Sequence, residues 1–152
     1  MSDDGRCDTE IKIRIALAKE AFSKRKELLT KRFSRRVKKK LINTLVWTTL
    51  LYGCETWTLR KDEIRRLEAM EMWLWRRMEK ISYTERVTNE EVLRRVEERQ
   101  LLNLIRNRKK NWIGHILRGD GIVKEVIEGR MEGKRSRGRP RAGMLDDLVV
   151  VS

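Results

Sequence analysis

The sequence is poor in the side chains that most catalytic and metal sites need. Its 152 residues include one histidine, one proline and two cysteines, which lie far apart at Cys7 and Cys54. A structural zinc site needs four ligands in closely spaced pairs, so this composition argues against one. A single histidine, with no nucleophile-elbow motif, also gives a catalytic triad little to build on. We therefore expect no catalytic residue, no metal ligand and no cofactor in this chain.

Signals for export and for membrane insertion are lacking as well. The first ten residues, MSDDGRCDTE, are polar and acidic, whereas a signal peptide combines positive charge with an apolar segment. The most apolar run, LINTLVWTTLLYGC at residues 41–54, is shorter than the roughly 20 residues that a membrane helix needs. We expect reduced thiols, a location in the nucleus or the cytoplasm, and neither secretion nor membrane binding.

Positive charge is what the sequence has in excess. There are 37 lysines and arginines against 23 aspartates and glutamates, and the net charge is +14. Such an excess repels itself in a compact fold, and its usual use is to bind a polyanion whose counterions are released on binding. The run SKRKELLTKRFSRRVKKK, residues 23–40, is dense in cations and holds one acid. A solvated helix face is the common interpretation of such a run, but this density favours contact with a nucleic-acid backbone.

Glycine and proline are placed so that long stretches can be helical. Apolar residues recur at steps of three or four, which is the spacing of an amphipathic helix. We predict helices over residues 10–29, from the basic run to 52, over 58–81, from 88 onward, over 100–118 and over 122–128. Thr58 is the predicted cap of the third helix, and TNEE at residues 88–91 matches a capping box. The alternation of EIKIRIAL, residues 10–17, leaves a short opening strand as an alternative. The fold class is all-α, an array of about five to six helices followed by a basic, partly disordered tail.

The spacing also predicts which side of each helix is buried. The predicted apolar face of the second helix consists of Leu41, Leu45, Thr48 or Thr49, and Tyr52. The predicted apolar side of the fifth helix consists of Leu101, Ile105, Trp112 and Ile116. The predicted basic side of that helix consists of Arg106, Arg108, Lys109 and Lys110. Cations on a face opposite the core can reach phosphates without disturbing the packing.

Aromatic side chains could contribute stacking on bases. The five tryptophans are Trp47, Trp57, Trp73, Trp75 and Trp112. Most of them lie at helical spacing with leucines, so we expect at least three to be core residues. Trp73 and Trp75 point to different sides of one helix, which leaves one of them as a candidate surface platform. The histidine, His115, lies in the apolar segment NWIGHIL and is expected to be packed in the core or at its boundary.

The segment GKRSRGRPR, residues 133–141, combines five cations with two glycines and the chain's one proline. Its RGRP matches the core of an AT-hook, in which extended Arg-Gly-Arg lies along a narrow minor groove. Sequence-independent phosphate contact, a minor-groove hook, and a linker or nuclear address all remain open for this segment. The pair Asp146–Asp147 nearby is interpreted as a capping or solvated pair, because further carboxylates for a two-metal site are missing.

Five segments together resemble the C-terminal end of non-LTR (LINE-type) retrotransposon reverse transcriptases, of the endonuclease-containing kind. They are DGRCDTEIKIRIALAKEAF, LLYGCETWTL, RLEAMEMWLWRRMEKISYTERVTNEEVL, RNRKKNWIGHILR and EGKRSRGRPRAGMLDDL, and they span residues 4–148. The resemblance implies a thumb-like segment at 1–57, a helical extension at 58–128 and a basic tail at 129–152. It implies a parent activity of RNA-directed DNA synthesis that uses Mg²⁺, with the endonuclease domain and the catalytic palm absent from this chain. The chain is then expected to be a fragment without enzymatic activity of its own.

The partners that the resemblance implies are DNA or an RNA–DNA hybrid, and the missing palm domain. The predicted nucleic-acid contacts are Lys38, Lys39, Lys40, Arg106, Arg108, Lys109, Lys110, Lys134, Arg135, Arg137, Gly138, Arg139 and Arg141. The alternative is an AT-hook-type DNA-binding or interaction protein derived from such an element.

Overall fold

Every regular element that the structure, a computed structural model, describes is a helix. It describes residues 7–27, 33–97, 101–119 and 121–127, and no strand occurs in these ranges. The all-α prediction is therefore confirmed for them. The alternating segment at residues 10–17 belongs to the first helix, so the alternative of an opening strand is wrong. The predicted tail, 129–152, lies outside the described residues.

The order of the helices follows the predicted order. They are α1 (Asp8–Lys24), α2 (Arg35–Ile42), α3 (Lys61–Met78), α4 (Asn89–Val96), α5 (Leu101–Arg118) and α6 (Ile122–Ile127). α2 runs on through a π-helical turn, Asn43–Trp47, and a last α-helical turn, Thr48–Leu50. Short 3₁₀ turns, Cys54–Thr56 and Tyr83–Glu85, follow the second and third helices. No helix in the described ranges is long and apolar enough to cross a membrane.

Hydroxyl caps and one glycine explain several helix ends. The hydroxyl of Ser34 accepts a hydrogen bond from the backbone N–H of Val37 at 3.4 Å, and α2 begins there. Thr88 accepts from the N–H of Glu91 at 3.3 Å, so the predicted cap of α4 is confirmed. Gly53 adopts a left-handed backbone with φ of 72° just after the second helix, which a side chain would disfavour.

The third helix begins later than its predicted cap. Arg60 is extended, and its backbone N–H donates to the carboxylate of Glu63 at 2.8 Å. This hydrogen bond satisfies a donor that the helix itself leaves unpaired, so α3 begins at Lys61. The predicted start at Thr58 is wrong.

One buried cluster joins the helices on both sides of residue 57. Three of its members are the tryptophans Trp47, Trp57 and Trp75, so the expectation of at least three core tryptophans is confirmed. The rings of Trp47 and Trp75 meet edge to face with their centroids 6.0 Å apart. Such large side chains dominate the burial that stabilises a small core. The described helices on both sides of this position therefore share one core.

The buried face of the second helix is displaced by one residue from the predicted face. Leu41 and Leu45 are half-buried, and Tyr52 is 68% exposed. The buried residues are Ile42, Val46, Trp47, Leu50 and Leu51. The π-helical turn has more residues per turn than an α-helix, so it keeps this second set on one side. The prediction for this face is wrong because it followed Leu41 and Leu45, whereas the exposed polar side at Asn43, Thr44 and Thr48 turns their neighbours Ile42 and Val46 toward the core.

A buried carboxylate connects α3 to the start of α5. Glu71 is 5% exposed, and its Oε1 accepts hydrogen bonds from the indole N–H of Trp75 at 3.3 Å and the backbone N–H of Leu101 at 3.1 Å. Leu101 is the first residue of α5. A negative charge at a helix N-terminus interacts favourably with the helix dipole and pairs one of its free N–H groups.

We predict that the stability of the protein falls in alkaline solution because of Cys54. Burial raises the pKa of its thiol from 9.0 to about 11. The unfolded chain therefore ionises this thiol from about pH 9, while the folded chain keeps it protonated to about pH 11. The free energy of unfolding should fall across this interval by up to about 2–3 kcal/mol, by the linkage of protonation to folding.

Denaturant unfolding at pH 8 and pH 11 measures this effect, with Cys54→Ala as the control. The variant should be less stable than the parent at pH 8, and the gap should narrow at pH 11. A gap that stays constant with pH would show that the folded protein does not suppress ionisation of this thiol.

Candidate nucleic-acid interface

Seven of the predicted contacts lie in the described residues, and they fall on two helices. Lys38, Lys39 and Lys40 are on α2, and Arg106, Arg108, Lys109 and Lys110 are on α5. The remaining predicted contacts lie outside the described residues: Lys134, Arg135, Arg137, Gly138, Arg139 and Arg141. The acidic pair Asp146–Asp147 lies outside them too.

The start of α2 carries a dense set of cations and no acid. Its sequence is RRVKKKLI. Arg35 is fixed by two hydrogen bonds to Glu79, Nε to Oε1 at 2.9 Å and Nη2 to Oε2 at 3.1 Å, which raise the pKa of Arg35 further. This pair attaches α2 to the end of α3. The other cations of the helix form what we call the α2 cluster: Arg36, Lys38, Lys39 and Lys40. Arg36 and Lys40 are exposed, and the other two are half-buried.

Lys109 is a core residue, so its predicted contact with phosphate is wrong. Its side chain is fully buried, and its ammonium group donates a hydrogen bond to the backbone carbonyl of Trp57 at 2.6 Å. The spacing Leu101, Ile105, Lys109 advances four residues at each step, which rotates by only about 40° around a helix. Lys109 therefore belongs to the apolar face by position, and this spacing was the signal that the assignment by charge overlooked.

Arg108 and Lys110, which flank Lys109 on α5, are both exposed, but they differ in their contacts. Arg108 is exposed, but its Nη1 donates to the carbonyl of Leu51 at 3.3 Å, at the end of the second helix. A cation there interacts favourably with the negative end of that helix. Lys110 points to solvent. Lys110 is therefore the predicted α5 contact that is best placed to reach a phosphate.

Arg106 lies in an acidic groove. It is half-buried and lines a groove of about 390 Å³ between α3, α4 and α5 together with three glutamates, Glu68, Glu71 and Glu90. Carboxylates close to a guanidinium lower its attraction for a phosphate and repel the phosphate directly. Arg106 is thus a weaker candidate contact than the α2 cluster, and this groove is unsuited to a polyanion.

The candidate aromatic platform on α3 is occupied by cations. Trp75 is buried and Trp73 is half-buried, as expected of two faces of one helix. The guanidinium of Arg77 lies 4.4 Å from the centroid of the Trp73 ring, and the ammonium of Lys19 lies 5.4 Å from it. His115 is exposed, so its predicted place in the core or at its boundary is wrong.

A second basic and aromatic groove lies where α3 passes into α4, and the sequence analysis missed it. Its described lining residues are Trp73, Arg76, Arg77, Ile81, Tyr83, Thr84, Arg86 and Val87. Tyr83 is 98% exposed. The pattern Ser-Tyr-Thr-Glu at residues 82–85 has the spacing of a capping box, which was the signal of a built turn at this position.

Possible metal ligands among the described residues are the histidine, cysteine, aspartate and glutamate side chains. No group of three or more of them is placed to hold a metal ion in that part of the chain. Cys7 and Cys54 are both free thiols. The chemistry that this surface can support is the binding of anions and of aromatic rings.

Comparison with curated proteins finds similarity to an uncharacterized transposon-derived protein of Caenorhabditis elegans, 31% identical over 113 residues. The match covers 72% of this chain and 40% of that protein, so the chain spans well under half of that relative's length. No protein-family model matches the chain, and no solved structure matches it significantly. The similarity indicates a transposon origin for this sequence.

We predict that Lys109 contributes strongly to the stability of the fold and that its neighbour Lys110 contributes almost nothing. Lys109→Ala removes buried methylenes and leaves the Trp57 carbonyl without this donor, so it should lower the free energy of unfolding by about 2–4 kcal/mol. Lys110→Ala removes an exposed side chain and should change it by less than about 0.5 kcal/mol. Urea unfolding followed by tryptophan fluorescence measures both. Equal, small effects would mean that the Lys109 ammonium lies in solvent.

Proposed function

We propose that this chain is the nucleic-acid-binding, C-terminal part of a non-LTR retrotransposon reverse transcriptase, which holds template–primer or target DNA by its phosphates. The similarity to a transposon-derived protein supports the origin, and the order of the five sequence segments supports the reverse-transcriptase assignment. The observation that carries the binding function is the α2 cluster, a group of cations at the start of a helix that contains no acid.

The first turn of α2 is an unfavourable place for cations. Arg35 and Arg36 occupy it, where the helix dipole is positive and a cation costs about 0.3–1 kcal/mol. Glu79 compensates the charge of Arg35. A phosphate would compensate the charge of Arg36, because both the N–H groups of a helix start and a guanidinium attract anions.

Lys110 is a second candidate contact, separate from the α2 cluster. It is exposed on α5, whereas Arg108, two residues earlier, bonds to the Leu51 carbonyl at the end of the second helix. Two residues rotate by about 200° around a helix, so Lys110 points away from the side of α5 that contacts Leu51. Lys110 would therefore meet a phosphate independently of the α2 cluster.

We propose no catalytic role for the chain on its own. In a reverse transcriptase, carboxylates hold Mg²⁺ against the phosphates of the incoming nucleotide. The described residues do not fit such an ion, because no carboxylates gather there as its ligands. Several acids of this part of the chain instead pair with cations one turn away, as Glu91 does with Arg94 and Arg95.

A second candidate function rests on the RGRP motif at residues 137–140, which favours a DNA-binding protein selective for A·T-rich sites. The motif lies outside the described residues. The two functions differ in what Arg137→Ala combined with Arg139→Ala would do. Loss of preference for A·T-rich duplexes would favour the hook, whereas uniform weakening on all sequences would favour backbone binding.

We predict that DNA affinity falls steeply as the salt concentration rises, and that the cations of the α2 cluster cause this dependence. If about five cations neutralise phosphates, log K should fall against log salt concentration with a slope of about −4 to −5. Arg36→Ala combined with Lys40→Ala should weaken binding to all duplexes and make the slope shallower by about 2. Fluorescence anisotropy with a labelled duplex at several salt concentrations measures both quantities.

The matched control is Lys61→Ala combined with Arg65→Ala, which removes the same charge from exposed positions on α3. Arg65 there already faces Asp62 at 3.7 Å. This control should leave the slope nearly unchanged. Equal slopes in the two double variants would mean that affinity follows net charge alone, and a parent protein insensitive to salt would remove the proposed function.

A further inference from the structure

We propose that the loop between α3 and α4 binds unpaired nucleic acid, with Tyr83 stacking on a base and the arginines around it holding the adjacent phosphates. This inference rests on the proposed function and adds a substrate class to it. The α2 cluster can hold the backbone of paired or unpaired strands, whereas the Tyr83 loop (residues 81–88) would select strands whose bases are accessible.

Tyr83 is held out in solvent by a turn with a defined geometry. The backbone N–H of Ser82 donates to the Glu85 carboxylate at 2.9 Å, and the N–H of Thr84 donates to the Ser82 hydroxyl at 3.4 Å. The N–H of Glu85 donates to the Ser82 carbonyl at 3.2 Å. These bonds fix the backbone on both sides of a ring that is 98% exposed. A backbone fixed in this way loses little conformational freedom when the ring binds, which favours affinity.

The rest of the loop is attached to α3 by an arginine. Nη2 of Arg76 donates to the Val87 carbonyl at 2.7 Å and to Oδ1 of Asn89 at 3.0 Å. Arg86 has a left-handed backbone with φ of 48°, a conformation that is unfavourable for a residue with a side chain. Arg86, whose backbone is strained, therefore places its cation in the same groove as the exposed ring of Tyr83.

The charges of the groove complement a nucleic-acid strand. Its described lining residues include Arg76, Arg77 and Arg86 but no acid. The acid within the turn, Glu85, accepts the Ser82 N–H at 2.9 Å, and this bond holds its carboxylate at the backbone of the turn. The guanidinium carbon of Arg77 lies 4.4 Å from the centroid of the Trp73 ring, and a guanidinium over an aromatic ring keeps N–H groups that can donate to a phosphate.

A protruding ring discriminates unpaired from paired strands for a simple reason. In a duplex both faces of each internal base are covered by its neighbours, so a side chain cannot stack on them without unstacking the helix. An unpaired base offers its face at little cost, and stacking on an aromatic side chain is worth about 1–3 kcal/mol per base. Tyr83 should therefore contribute to single-strand affinity and contribute nothing to duplex affinity.

The test compares Tyr83→Ala and Tyr83→Trp with the parent chain on a single strand and on its duplex, by fluorescence anisotropy at one salt concentration. Both DNA and RNA single strands are used. Tyr83→Ala should weaken single-strand binding about 5- to 100-fold, the change that corresponds to loss of one stacked base, and should leave duplex binding within about twofold. Tyr83→Trp should retain single-strand binding. The salt dependence should not change, because no charge is removed.

Two matched controls separate stacking from general effects. Tyr52→Ala removes another exposed tyrosine, whose ring lies under Arg14 at 4.7 Å, and should leave both affinities unchanged. A strand with abasic sites should bind the parent as weakly as a normal strand binds Tyr83→Ala.

Several outcomes overturn the inference without touching the proposed function. One is an equal effect of Tyr83→Ala on single strand and duplex, and another is no effect on either. A third is loss of self-association in sedimentation with unchanged oligonucleotide affinity, which would assign the loop to contact between copies of the chain. Absence of salt-dependent binding to any oligonucleotide would overturn the proposed function and this inference together.

Discussion

The hydrogen bond from the buried ammonium of Lys109 to the Trp57 carbonyl fixes how α5 lies against the rest of the chain. It joins the helix to the segment that follows the second helix, and Arg108 adds a hydrogen bond to the carbonyl of Leu51, six residues before Trp57. A buried lysine is costly unless its charge is paired or hydrogen-bonded, so this contact constrains the rotation of α5 closely. With Lys109 facing the core, Lys110 is turned by about 100° toward solvent.

The cations of this chain consequently fall into groups with different roles. Lys109 stabilises the core, and Arg35 and Arg108 attach helices to one another through Glu79 and the Leu51 carbonyl. The α2 cluster and Lys110 are exposed or half-buried, and they are the residues proposed to bind phosphates. The Tyr83 loop adds an aromatic ring to a further group of arginines. A net charge of +14 therefore overstates the charge available for binding, since part of it serves the fold.

The sequence predicted the helical class, the order of the helices and three core tryptophans because each follows from local spacing and composition. Its errors have specific physical causes. The buried face of the second helix was misassigned because α-helical spacing was applied to Leu41 and Leu45 across a segment that contains a π-helical turn. Lys109 was assigned to the surface because charge was given more weight than its position in the apolar repeat. Tyr83 was overlooked because helical periodicity does not report loop positions, although the local spacing of Ser82 and Glu85 signals a built turn there.

Lysine acetylation, read by mass spectrometry on the folded chain with and without an oligonucleotide duplex, separates the buried lysine from those proposed to bind phosphate. We expect Lys109 to be unreactive in both samples, because its ammonium is buried. We expect Lys40 and Lys110 to react in the free protein and to be protected when DNA is bound. Rapid modification of Lys109 in the free folded protein, or unchanged modification of Lys40 and Lys110 in the presence of DNA, would contradict these roles.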